Sequence, residues 1–243
     1  MCGRFVLASP PDEIAAYFAA EPPADPLEPR FNVAPTMDVY AVYEDGSERR
    51  LDAFYWGLVP GFAKDLKIGA RLINARSETV ATNNSFKNAF ERRRCIVPAD
   101  GFYEWQKIAG QRAKQPYFVH RGDGEPLALA GLWSEWRGTV AGEQVVVRST
   151  TILTTDANET MAPVHDRMPV ILPRRSWDLW LDPTNRDVAS VQPLLVGAPA
   201  TLLTMHPVST AVGNVKNDDP SLVDEIEAAG AVGAGEWVQD TLL

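Results

Sequence analysis

Cys2 directly follows the initiator methionine. Methionine before a small residue is commonly removed, which would make Cys2 the N-terminus. An internal cysteine offers a thiol and an unreactive amide nitrogen, whereas an N-terminal one offers an amine and a thiol on adjacent carbons. Their reference pKa values, roughly 7.7–8.0 for the amine and about 8.5 for the thiol, leave both partly deprotonated near neutrality. Two chemistries follow. The amine can serve as base for its own thiol in attack on an amide. Alternatively, the amine condenses with an aldehyde to an imine and the thiol closes on the same carbon, giving a thiazolidine ring. The plain alternative is a small residue that merely follows the initiator.

Glu104 lies in Asp100-Gly-Phe-Tyr-Glu-Trp-Gln106. On a strand it shares a face with Phe102 and Gln106, while Tyr103 and Trp105 point the other way. Aromatic surroundings favour the protonated form of a carboxylate, which suits general acid–base work. A strand-end glutamate paired with an arginine is equally compatible with the spacing. His165 sits in a proline-bounded loop beside Arg167. It is a candidate for proton transfer, and Arg167 for clamping a phosphate; a histidine bonded to loop backbone remains the alternative. His120 and His206 read as structural.

The elements that must position these groups follow from local pattern. Asn74 and Arg76 precede a helix expected over residues 77–94, with Ser77 as its cap, so both would stand at an anion-binding helix N-terminus. Phe62, beside Lys64 in residues 56–65, combines aromatic surface with positive charge, as base-stacking platforms do. Ser9-Pro10-Pro11 opens an amphipathic helix. Residues 38–43 and 51–56 read as a hairpin around 44–47, and residues 22–35 as an ordered extended loop. Further strands are expected at 95–98, 101–106, 116–121, 127–133, 144–155, 169–172 and 200–205, with short helices at 176–181 and 220–229. Strands outnumber helices and hairpin spacings dominate. The expected fold class is therefore α+β, a single domain with a mainly antiparallel β core and peripheral helices.

The 243 residues are 45% apolar and 23% charged, an ordinary globular composition with ample material for a core. No apolar run approaches the roughly 20 residues that cross a bilayer, and the N-terminus has no secretory h-region. An intracellular protein is expected. The net charge of −9 argues against nucleic acid only until its distribution is considered. Residues 57–121 carry a balance of +7, leaving −16 elsewhere, and residues 217–243 hold seven acids and no Lys or Arg. A basic middle within an acidic protein can hold a phosphate backbone locally; a set of solvated helix faces is the competing reading. Cys2 and Cys95 are a poor disulfide pair for such a chain, and the scattered Cys and His give no metal spacing. Phosphate-binding glycine loops, dinucleotide fingerprints, HExxH and Gly-x-Ser-x-Gly are absent, which removes ATPase, nicotinamide-enzyme and serine-hydrolase readings.

Several segments occur together in a fixed order: Met1-Cys-Gly-Arg-Phe5, Arg30-Phe-Asn-Val-Ala-Pro-Thr36, Trp56-Gly-Leu-Val-Pro60, Ile73-Asn-Ala-Arg-Ser-Glu78, Arg94-Cys-Ile-Val-Pro98, Gly101-Phe-Tyr-Glu-Trp105, Ala130-Gly-Leu-Trp133, His165-Asp-Arg-Met-Pro-Val170 and Val215-Lys-Asn-Asp218. In this the sequence resembles the SOS-response-associated peptidase (SRAP) family, the abasic-site processing proteins, from Met1 to about Leu222. The resemblance implies a barrel-like antiparallel core in a domain over residues 1–222, followed by an acidic tail over 223–243. It implies a groove for single-stranded DNA, autoproteolytic loss of Met1, and capture of the ring-opened abasic aldehyde as a thiazolidine DNA–protein crosslink. Carried over by motif, Cys2 would be the nucleophile, and Asn74 would orient the N-terminus and the sugar. Glu104 would shuttle protons, and His165 would assist ring opening and later release. Arg4, Arg76 and Arg167 would hold phosphates. Pro35 and Phe62 would wedge or stack at a DNA bend, and Thr154 would line the pocket. The family often has tryptophan where this chain has Phe62, which keeps a π face for weaker stacking.

No cofactor or metal is implied. The expected partner is single-stranded DNA with abasic sites, with the replication machinery a candidate further partner. The protein is expected to be a monomer without membrane attachment, cytoplasmic and nucleoid-associated, or nuclear in a eukaryote. Two other readings stay open: an N-terminal-nucleophile amidohydrolase of the glutamine amidotransferase type, and a module that holds single-stranded DNA without covalent chemistry.

Overall fold

The computed structural model describes residues 2–228. Its strands in chain order are β1 (Phe5–Leu7), β2 (Arg30–Val33), β3 (Asp38–Asp45), β4 (Glu48–Trp56), β5 (Asn74–Arg76), β6 (Arg94–Ala99), β7 (Gly101–Gln106), β8 (Gln115–Arg121), β9 (Leu127–Val140), β10 (Glu143–Asp156), β11 (Arg167–Pro169) and β12 (Leu203–Pro207). Four short helices accompany them: α1 (Pro11–Phe18), α2 (Lys87–Arg92), α3 (Trp177–Leu181) and α4 (Val188–Val191). Among the described residues, no helix is long and apolar enough to cross a membrane.

β3 is buried along most of its length because both of its faces are covered. Tyr40 and Val42 enter the main core. Ala41 and Tyr43 pack with Phe54 and Cys95 in a smaller cluster on the opposite face. The strands β4, β3, β6, β9 and β10 follow one another around a ring, and β10 closes it by pairing both β9 and β4. Closure leaves these strands without an open edge. A second sheet, ordered β12-β8-β7-β1-β2, is antiparallel throughout. The main core draws Phe5, Phe102 and Val119 from that sheet and Ile96, Leu129 and Ile152 from the barrel. The result is the expected α+β domain, with one refinement: β10 runs parallel to both β4 and β5, so the barrel is mixed.

The long helix expected over 77–94 does not form. Asn, Ser and Thr side chains in this stretch compete for backbone groups, and the Asn83 side chain accepts from the Ser85 N–H at 2.9 Å. The helix is confined to Lys87–Arg92. Ser77 caps nothing; it is buried, and its N–H donates to the Thr154 carbonyl at 2.9 Å. Asn74 and Arg76 therefore stand on strand β5, not at a helix N-terminus.

Arg94, expected at the end of that helix, instead opens β6 with only 3% of its surface exposed. Its guanidinium donates to five carbonyls, those of Phe90, Glu91, Trp180, Asp182 and Asn185. Burial lowers its pKa. Arg94→Ala strands those acceptors, each orphan costing about 1–3 kcal/mol where water cannot replace the donor. Denaturant unfolding is expected to show a loss on the order of 3–5 kcal/mol.

Other boundaries shift. The strand expected over 169–172 is β11 (Arg167–Pro169), and the one over 200–205 begins as a 3-10 turn before β12. The helix expected over 220–229 is a 3-10 turn at Pro220–Val223, and residue 229 lies outside the described residues. Ser9 does not cap α1; Pro10 occupies that position, and the Ser9 hydroxyl and N–H donate to Asp100.

Candidate active site and nucleic-acid interface

Beyond the barrel contacts, the C-terminal half of β10 gains two flanking strands. Ile152, Leu153 and Thr154 pair in parallel with Asn74, Ala75 and Arg76, while Thr154 also opposes Pro169 of β11. This three-stranded extension places Asn74, Arg76, Thr154 and Arg167 on adjoining strands. The Trp56 indole N–H donates to the Ile73 carbonyl at 3.1 Å, tying the start of β5 to the barrel.

Cys2 is fully buried in the main core. The Asn74 amide donates to the Cys2 carbonyl at 2.8 Å. The Asn74 Oδ1 is buried with no hydrogen-bond partner among the described residues. Burial and then the negative charge of Glu104 push the Cys2 thiol well above its ordinary pKa, so it stays protonated at neutral pH. Glu104 itself is 3% exposed. It reaches this position because β7 lies between β1 and β8: Phe102 pairs Phe5, the Tyr103 N–H donates to the Arg4 carbonyl at 2.9 Å, and Glu104 opposes Tyr117. Cys2, Asn74 and Glu104 thus lie together, a buried thiol and a buried carboxylate beside a half-buried amide.

His165 ends a turn in which its N–H donates to the Met161 carbonyl at 3.0 Å. The Gln106 amide donates to Pro163 at 3.0 Å and ties this loop to β7, two residues beyond Glu104. The imidazole Nδ1 lies 3.0 Å from the Arg167 N–H and 2.8 Å from Asp166 Oδ1. His120 and His206 make backbone contacts, to Arg121 and Val223, in keeping with structural roles. Cys95 is the other buried free thiol. Desolvation pushes its pKa up to about 12, and it lies 3.4 Å from Thr150 Oγ1.

The expected phosphate ligands differ in availability. Arg76 is exposed. Arg4 donates to Asn32 Oδ1 and the Val212 carbonyl, both at 2.8 Å, and lies over Trp105 at 5.9 Å. Arg167 already carries Glu78, Asp156 and the Thr154 carbonyl. Phe62 is 69% exposed, as a stacking surface requires. Its loop is anchored by the Trp136 indole N–H on the Ala63 carbonyl at 2.8 Å and by the Val59 N–H on Ser149 Oγ at 2.8 Å. Gly57 adopts a φ of 134°, and a Cβ there would lie 2.5 Å from the Gly69 oxygen, so only glycine lets the two loops approach. Pro35 is half-buried in a neighbouring turn, where the Thr36 N–H donates to the Trp56 carbonyl at 2.9 Å.

The sequence profile of the family described as SOS response associated peptidase (SRAP) matches residues 1–215. This chain belongs to the SRAP family. Among its SRAP relatives, the abasic site processing protein YoqW of Bacillus subtilis (strain 168) is 39% identical over 226 residues, covering 92% of this chain and 99% of that protein. The abasic site processing protein YedK of Escherichia coli (strain K12) is 33% identical, covering 93% and 100%. The X-ray structure of a Bacteroides thetaiotaomicron protein shares the fold, with a TM-score of 0.79 at 22% identity over 93% of this chain and 100% of that one. One from Bordetella bronchiseptica gives 0.72 at 28% identity, covering 86% and 100%.

Three residues of this SRAP protein escape attention in the sequence. Asn32 is buried; its amide donates to the carbonyls of Val212, Asn214 and Asn217, while its Oδ1 holds Arg4. Asp218 accepts from the Phe31 and Asn32 N–H groups and pairs with Arg30. The Arg30–Thr36 and Val215–Asp218 motifs are therefore two halves of one clamp behind Arg4. Glu78, the last residue of the Ile73–Glu78 motif, is the forked partner of Arg167. Contact between the paired segments leaves no local signal, so spacing alone could not find these partners.

Proposed function

We propose that this protein processes abasic sites in single-stranded DNA by capturing them covalently through Cys2. Removal of Met1, a residue outside the described ones, comes first: water cleaves the Met1–Cys2 peptide bond and frees the Cys2 amine. The family's description as a peptidase supports self-cleavage. The amine then adds to the aldehyde carbon of the ring-opened sugar, and the carbinolamine loses water to give an imine. The thiol adds to the same carbon while its proton ends on the nitrogen, closing a thiazolidine with one water lost overall.

The observation that carries this reading is the cluster in which Asn74 holds the carbonyl of buried Cys2 beside buried Glu104. A thiol held protonated needs a base before it can close the ring, and a departing hydroxyl needs an acid. Glu104 serves both needs in turn. The Asn74 Oδ1, an acceptor without a partner among the described residues, suits the freed amine or a sugar hydroxyl. His165 assists sugar ring opening and reversal of the crosslink, with Thr154 lining the pocket. Arg4, Arg76 and Arg167 hold the backbone, and Pro35 and Phe62 support the displaced bases. The names of the relatives, abasic site processing proteins, point to the same substrate.

Incubation with an abasic oligonucleotide, followed by denaturing electrophoresis, tests the reading: a retained DNA band on protein that begins at Cys2 is expected. Non-covalent affinity for the same strand should fall as salt rises, since phosphate contacts release counterions; a flat titration would remove the backbone-clamp assignment. His165→Ala is expected to lengthen the half-life of the isolated crosslink while leaving the capture rate less affected. Equal half-lives in variant and parent would remove the release role.

A further inference from the structure

Arg167 is an unusual phosphate ligand because its guanidinium is already occupied. Nη1 and Nη2 donate to the two carboxylate oxygens of Glu78 at 2.6 and 3.0 Å, a forked pair. Nη1 also meets Asp156 Oδ1 at 2.7 Å, and Nη2 meets the Thr154 carbonyl at 2.8 Å. The Arg167 side chain is 12% exposed, whereas those of Glu78 and Asp156 are 47% and 87% exposed. Arg76, the residue opposite Thr154 on the next strand, has no ion-pair partner among the described residues.

We propose that Glu78, backed by Asp156, is a resident occupant of the phosphate position at Arg167, so that this arginine engages DNA only by exchanging one anion for another. The proposal rests on the DNA-capture reading and concerns how selectively that site takes its strand. A phosphodiester presents two oxygens to a guanidinium much as a carboxylate does. In the exchange, the two hydrogen bonds to Glu78 break, two to the phosphate form, and the carboxylate turns into water, to which it is already half open. Arg167 stays fixed by the Thr154 carbonyl throughout.

Hydrogen bonds from Arg167 hold the Glu78 carboxyl below the ordinary carboxylate range, so it is charged at neutral pH and competes as an anion. Arg76 can meet a phosphate without displacing a partner, whereas Arg167 surrenders an existing pair to do so. The gain from Arg167 is therefore small for a loosely held strand. It becomes useful when other contacts, above all those around Cys2, set a phosphate directly against the guanidinium. Glu78 thereby lowers retention of undamaged strands.

The test is fluorescence-anisotropy titration of an undamaged single-stranded oligonucleotide across a salt series, comparing Glu78→Gln with the unsubstituted protein. Glutamine keeps one acceptor for Arg167 and removes the competing charge. Binding is expected to tighten by about two- to fivefold, the range set by a partly exposed ion pair. The slope of log K against log salt should steepen by about 0.7, one additional phosphate contact on a single strand. Unchanged or weaker binding by a folded Glu78→Gln protein would overturn the proposal and make Glu78 a positioning residue. Should that variant fail to fold, Glu78→Ala decides the matter in the same way: tighter binding supports the proposal, and unchanged or weaker binding overturns it. Absence of DNA binding by the unsubstituted protein would remove both this proposal and the DNA-capture reading. Normal capture of abasic DNA with equal affinities for undamaged DNA would remove this proposal alone.

Discussion

A protein carrying Cys2→Ala and beginning at residue 2 is expected to form no denaturation-resistant adduct with an abasic oligonucleotide. The expected effect is complete loss, because the thiazolidine needs sulfur and nitrogen from the same residue. Cys95, the other thiol, cannot substitute: it lies buried against Thr150 with its pKa pushed up to about 12. The variant keeps its terminal amine, so the first half of the chemistry survives. Adding borohydride should therefore trap the imine and restore an adduct, which separates the amine step from the thiol step. A stable adduct formed by the variant without reductant would assign capture to another residue. The substitution removes one buried sulfur atom, a small loss of packed volume, so the variant should remain folded.

Glu104→Gln is expected to slow crosslink formation by ~10²-fold or more, the usual scale for loss of a positioned proton carrier. The change is close to isosteric, and the site can tolerate it because β7 is held by backbone pairing with β1 and β8 on its two sides. The defect should appear in the rate constant at saturating DNA, since the carboxylate acts on the reacting atoms and not on the phosphate backbone. Removing its negative charge also removes one of the two influences that raise the Cys2 thiol pKa. A more acidic thiol would by itself favour ring closure. A slower rate in spite of that would identify proton transfer as the larger contribution, whereas an unchanged rate would leave Glu104 without a catalytic role.

Much of the placement of the candidate site residues was legible in the sequence because they lie on short continuous motifs. Gly101–Gln106 is a strand with the expected bounds, and the alternation Phe102, Glu104, Gln106 correctly set Glu104 on a face apart from Tyr103. The hairpin of β3 and β4 was equally clear, with Gly46 supplying the positive φ its turn requires. What failed were elements defined by distant partners. β5 has three residues, too few for periodicity to show, and it exists because β10 runs beside it. The run of three arginines suggested a helix end, yet Arg94 is drawn inward by carbonyls from residues as far away as Asn185. The positive balance over residues 57–121 pointed toward phosphate binding, but composition could not show that Glu78, within the same segment, already neutralises Arg167 from outside it.

The most direct measurement is the intact mass of protein verified to begin at Cys2 after incubation with a short single-stranded oligonucleotide bearing one abasic site. The expected result is a gain equal to the oligonucleotide minus one water, absent in Cys2→Ala. No mass gain on that protein would contradict covalent capture and return the Cys2 cluster to amide chemistry.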